Sequence, residues 1–146
     1  MEQEQQPTGQ QQREITGKEG PRKERSYKPK AYYKAAQLLK QIKKSTNKVS
    51  SNLKGTKVCD MECTVFEIMR YTSFACDDKE NYEKTLHFLT ASIEALEDVM
   101  LSARILLDLG QIKSSGYSEI TRLEGNLSKQ LSAWRGATIK RIENKK

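Results

Sequence analysis

The run Tyr82, Leu86, Leu89, Ile93, Leu96, Met100, Ala103 and Leu107 steps alternately four and three residues along the chain, with neither Pro nor Gly between 79 and 109. Apolar side chains recurring every 3.5 residues hold one stripe on a helix that turns every 3.6, so the segment predicts one long helix with one seam facing partner helices. At about 1.5 Å per residue it would span roughly 45 Å. Ala91, Ser92, Ala95 and Ser102 lie beside the seam, where small side chains admit a neighbouring helix. Glu83, Glu94, Glu97 and Asp98 mark the faces turned to water.

Three further stripes follow the same rule. Pro29 suits a first helical turn, and Tyr32, Ala35, Leu39, Ile42, Thr46 and Val49 predict a helix from about 30 to about 50. Residues 50–56 are rich in turn formers and read as a loop, with Thr56 as an N-cap. Val58, Met61, Val65, Ile68 or Met69, Thr72 and Ala75 give a second helix that ends near Asp77-Asp78. Gly110 is placed to end the long third helix as its C′ residue, and Ser114 or Ser115 to cap a fourth. That fourth helix carries Ile120, Leu123, Leu127, Leu131, Trp134 and Thr138 and runs to about 142. Four helices joined by short loops predict an all-α, antiparallel, up-down-up-down four-helix bundle over residues 29–146. Residues 1–28 read as a disordered, basic and polar tail, because after Met1 only Ile15 offers an aliphatic side chain for burial before Tyr27.

No stretch approaches the roughly 18–20 apolar residues of a membrane span, and residues 1–26 lack the apolar core of a secretory signal. The expected location is the cytoplasm. Three cysteines suit a reducing compartment. Cys59 and Cys63, four apart, share a helix face, but a single His and a distant Cys76 do not complete a tetrahedral metal site, so they read as buried structural thiols. No metal, cofactor or catalytic group is expected. The chain has no phosphate-binding Gly-rich loop, no H-E-x-x-H and no paired Glu-x-x-His, and His87 reads as an interface or surface residue.

Charge is distributed unevenly. Residues 31–54 hold six lysines and no acid, 55–110 hold five basic against eleven acidic residues, and 111–146 hold eight against three. Helices 1 and 4 are therefore basic and helices 2 and 3 acidic. Such a split can mean solvated faces that pair within the bundle. It also suits a stripe that tracks a phosphate backbone with little sequence readout, formed by Lys34, Lys40, Lys43, Lys44 and Lys48 with Arg135, Lys140 and Arg141. Tyr27, Tyr32 and Tyr33 lie among Lys28, Lys30 and Lys34, an arrangement suited to stacking on a single strand, with Tyr32 also a core candidate. Trp134 reads as a plug for the bundle end or for a subunit contact.

The second half carries a resemblance. The segment Leu101-Ser102-Ala103-Arg104-Ile105-Leu106-Leu107-Asp108-Leu109-Gly110-Gln111-Ile112, followed by Ser114, Tyr117, Leu123, Leu127, Leu131 and Ser132-Ala133-Trp134, is similar to the accessory variability determinant (Avd) proteins of diversity-generating retroelements. The likeness covers about residues 30–136 and is strongest from 82 to 136. Ser132-Ala133-Trp134 stands where the family carries a Gly-Gly-Trp-like motif. The resemblance implies a four-helix protomer, a ring-like homopentamer, and a basic surface that binds reverse transcriptase and template RNA or DNA. The four-helix proteins encoded in 23S rRNA intervening sequences look like the nearest alternative, with a structural or protein-interaction role and no retroelement partner. Opposite charge on two helix pairs would also serve subunit contacts.

Overall fold

A computed structural model describes residues 28–77 and 80–145, and among these it contains four long helices and no strand. They are α1 (Lys30–Ser45), α2 (Cys59–Asp77), α3 (Tyr82–Asp108) and α4 (Ser114–Asn144). Both α1 and α3 pack on α2 and on α4, which places α1 and α3 across the diagonal of a square bundle. Contacts at its two ends set α1 antiparallel to both α2 and α4. Lys28, before α1, donates to Ser73 near the end of α2, and the Ser50 amide, after α1, donates to Gln111 before α4. The expected all-α antiparallel bundle is the fold observed. The tail through Tyr27 lies outside the described residues, as does Asp78.

One core runs the length of the bundle, from Ala35, Leu38 and Ile42 of α1 through Met61, Val65 and Ile68 of α2 to Leu127 and Leu131 of α4. On α3 the buried line is Thr85, Leu89, Ser92, Leu96, Val99, Ala103 and Leu106. It shares Leu89, Leu96 and Ala103 with the sequence ladder, whereas Leu86, Ile93, Met100 and Leu107 are only half-buried. The seam is thus rotated one position from the most apolar stripe. Ser92, expected beside the seam, is fully buried in its middle. Hydroxyls explain the difference, because a buried Thr or Ser is tolerated once it donates to a carbonyl. Ser92 donates to the Phe88 carbonyl at 2.9 Å, and Thr85 to that of Ala75 at 3.1 Å. Buried Thr46, Thr72 and Thr138 likewise donate to carbonyls of their own helices.

The ends of the helices depart from expectation more than their faces. α1 stops at Ser45 rather than near residue 50, although Val49 beyond it remains buried. Residues 50–56 are not a loop: a helical turn at Ser51–Leu53 leads into a π-helical turn at Lys54–Val58 and directly into α2. The reason lies in the spacing. Leu53, packed against the core, and fully buried Val58 are five residues apart, which an α-helix would set on different sides and an i→i+5 turn realigns. Thr56 therefore caps nothing and donates instead to the Asn52 carbonyl at 2.8 Å. At the end of α3, Gly110 adopts φ 71° as expected of a C′ residue. The Gly110 amide reaches the Leu107 carbonyl and the Gln111 amide that of Leu106, both at 2.9 Å, the paired bonds of a Schellman motif. Neither Ser114 nor Ser115 caps α4; Lys113 stands at the N-cap position and makes no side-chain capping bond.

Three glycines inside α4 separate helix propensity from packing. A Cβ at Gly125 or Gly136 would meet nothing within 4 Å, so Gly125→Ala and Gly136→Ala should each raise stability in urea unfolding by roughly 0.5–1 kcal/mol. At Gly116 an added Cβ would sit 2.9 Å from Ser45 Oγ and 3.1 Å from Ser45 Cβ. The hydroxyl can rotate away but the Cβ cannot, so Gly116→Ala should lower stability by about 1 kcal/mol by forcing α4 off α1.

Candidate nucleic-acid interface

α1 turns Ala31, Ala35, Leu38, Leu39 and Ile42 inward, and this leaves Lys40, Lys43 and Lys44 on its solvent side. Lys48, just beyond the helix, continues the i, i+4 row of Lys40 and Lys44 and is also exposed. Lys34 is half-buried. Two of these charges have a local role, since Lys43 and Lys44 lie in the last turn of α1, where cations complement the helix dipole. Lys43 also pairs with Glu62 of α2 at 3.3 Å, an exposed pair that contributes little to stability. The diagonal neighbour α3 presents Glu94, Glu97 and Asp98 to solvent, so the basic and acidic faces lie on opposite sides of the bundle.

The basic end of α4 does not join this face. Gly116 abuts Ser45, which fixes the register between α1 and α4. From there Arg135 lies roughly 28 Å and Arg141 roughly 38 Å along the axis, whereas α1 itself spans only about 24 Å. Arg135 turns toward α3, donating to Thr90 Oγ1 at 3.0 Å. Lys140 and Arg141 are exposed near the end of α4, where Lys145 sits over the Tyr82 ring at 5.4 Å. The single stripe expected from sequence is thus two clusters at opposite ends, because the two helices differ in length and run antiparallel.

Beside the lysines of α1 lies a groove of about 640 Å³, between the end of α1 and the loop that joins α3 to α4. Lys44 and Lys48 line one wall and Lys113 another. Glu119 is the one acid among the described residues of its lining. Arg122 grips that carboxylate with two bonds of 3.0 Å and, with a smaller contribution from the charge of Lys44, holds it below the usual carboxylate range. Gln111 Oε1 accepts from the Ser50 amide at 3.1 Å, which ties the two loops together and leaves the Gln111 NH₂ group as a donor. Gly110 and Gly116 also line it. Lys113 and Gln111 carried no signal in the sequence; each is an isolated polar residue in a tight loop, and only the antiparallel return of α4 sets them against α1.

Tyr33 is exposed and meets the half-buried Tyr32 edge-on, with ring centroids 5.3 Å apart, while Lys28 lies 5.9 Å from the Tyr32 ring. Tyr27 is outside the described residues. Trp134 is half-buried against the core. His87 is exposed beside Phe88. The cysteines correct an expectation: Cys59 and Cys63 are exposed and Cys76 is half-buried, because the buried stripe Val58, Met61, Val65 leaves the first two on the outer side of α2. The neighbouring Cys59 thiol pushes that of Cys63 up from its ordinary value. Among the described residues no three His, Cys, Asp or Glu side chains converge as metal ligands, and no helix is long and apolar enough to cross a membrane. Fold and surface together define an all-α four-helix bundle whose helix α1 carries exposed lysines and no acid of its own. The chain matches no protein-family model, and no curated protein matches it.

Proposed function

We propose that this chain is a non-catalytic, cytoplasmic accessory protein of a diversity-generating retroelement, which binds reverse transcriptase and template RNA or DNA through its basic surface to support mutagenic cDNA synthesis. The observation that carries the reading is the helix α1, which bears lysines and no acid and lies diagonally opposite the acidic face of α3. A face of that kind attracts phosphate through charge and releases counterions on binding, with little dependence on base sequence. The Avd-like run from Leu101 to Trp134 supplies the retroelement context. Opposite charges on opposite faces also suit a head-to-tail contact between copies, the kind of interface that closes into rings, and the resemblance makes that ring a homopentamer.

The reading is tested by fluorescence anisotropy with a labelled RNA over a salt series, together with co-purification of any reverse transcriptase encoded beside its gene. Log affinity should fall linearly with log salt, and the two proteins should elute together. An affinity indifferent to salt, or a locus without a reverse transcriptase gene and its template and variable repeats, would overturn it in favour of a structural bundle of the intervening-sequence type.

A further inference from the structure

We infer that the groove between the end of α1 and the α3–α4 loop is where closely spaced phosphates of a single nucleic-acid strand are held, with Lys113 joining Lys44 and Lys48 as direct phosphate ligands. This assignment rests on the nucleic-acid reading above and narrows it to one place on the surface. Three lysines from two separate segments converge on one concavity, and the one carboxylate among its described lining residues is already committed to Arg122. Lys44, Lys48 and Lys113 have no carboxylate within ion-pair distance among the described residues. Among the described residues no ion pair therefore competes with a ligand for them.

The lining decides the ligand class. About 640 Å³ falls within the roughly 300–1,000 Å³ of small-molecule sites, more than a lone inorganic anion fills. Among the described residues no aromatic side chain lines the groove, so they offer no surface for base stacking and read phosphate rather than base. Its remaining polar side chains, Gln41, Ser45, Asn47, Gln111 and Ser115, are neutral and suit sugar and phosphate oxygens. Two sources share this chemistry, the backbone of a single strand and a free polyphosphate.

The test uses the full chain with two probes, a labelled twelve-residue oligothymidylate and inorganic tripolyphosphate. Lys44→Gln/Lys48→Gln/Lys113→Gln should weaken oligothymidylate binding at least 10-fold and reduce the log–log salt slope by about 2, near 0.7 for each phosphate that is no longer neutralised. Lys113→Glu alone should weaken it several-fold, whereas Lys84→Gln on α3 should not. In amide NMR spectra, Gly110, Ser115 and Gly116 should shift on titration with the oligonucleotide, and tripolyphosphate should compete for the same shifts at higher concentration. Tighter binding of tripolyphosphate than of the strand would overturn the strand as occupant. Undiminished strand binding by the triple variant, with wild-type spectra at those amides, would overturn the groove and leave the broader reading intact. A wild-type chain that binds no single strand would overturn both.

Discussion

Leu106→Ala is expected to lower the free energy of unfolding by about 2–5 kcal/mol, whereas its neighbour Leu107→Ala should cost less than half as much. Leu106 is 1% exposed on the centre line of α3, and Leu107 sits at the flank, half-buried. Truncating the first removes transfer free energy and leaves a cavity between four helices that cannot collapse without moving α3. Truncation of the second opens the site to solvent. Leu101, 60% exposed on the outer side of the same helix, sets the baseline, and Leu101→Ala should change stability by no more than about 0.5 kcal/mol. Domains of this size are stable by only about 5–15 kcal/mol, so the first change removes a large share of the total. Urea unfolding followed by circular dichroism at 222 nm resolves all three. A larger loss at Leu107 than at Leu106 would return the buried centre to the apolar ladder seen in the sequence.

Changing Lys40, Lys43, Lys44 and Lys48 together to Glu should reduce affinity for single-stranded RNA by at least about 100-fold at 0.1 M salt and flatten the log–log salt slope by about 3. Each reversal frees one phosphate and places a carboxylate against the strand. Helicity should survive, since all four side chains are exposed. The change at Lys43 sets a second carboxylate near Glu62, at a cost of under about 1 kcal/mol for so exposed a pair. Lys140→Glu/Arg141→Glu at the far end of α4 should weaken binding less, because those charges lie beyond the reach of α1. Equal losses from the two variants would restore the continuous stripe.

What the sequence disclosed and what it hid follow from which forces act locally. Periodicity is written into each helix, so α2 and α4 show their buried faces at Met61, Val65, Leu127 and Leu131, and Gly110 marks its positive-φ stop. The centre of α3 was disguised because Thr85 and Ser92 count as polar in any hydropathy pattern, although their hydroxyls are satisfied within the backbone. The stop of α1 at Ser45 and the helical character of residues 51–58 were obscured by Ser, Asn, Gly and Thr, whose turn preference is overridden by the packing of Leu53 and Val58. The lysines of α1 were visible as a charge run. Their separation from Arg135 and Arg141, and their meeting with Lys113, depend on which helix ends adjoin, information carried only by the antiparallel fold.

The π-helical turn at Lys54–Val58 also has a meaning in chain length. It accommodates one residue more than an unbroken α-helix would need to present Leu53 and Val58 on the same side. A Cβ at Gly55, within the turn, would meet nothing within 4 Å, so no close approach requires a glycine there. Deleting a single amino acid here should therefore leave the downstream register intact: a relative shorter by one would carry an ordinary helix from Ser51 onward and keep its core. Sequence comparisons that penalise a gap inside a helix would shift such a pair by one residue on one side of the turn.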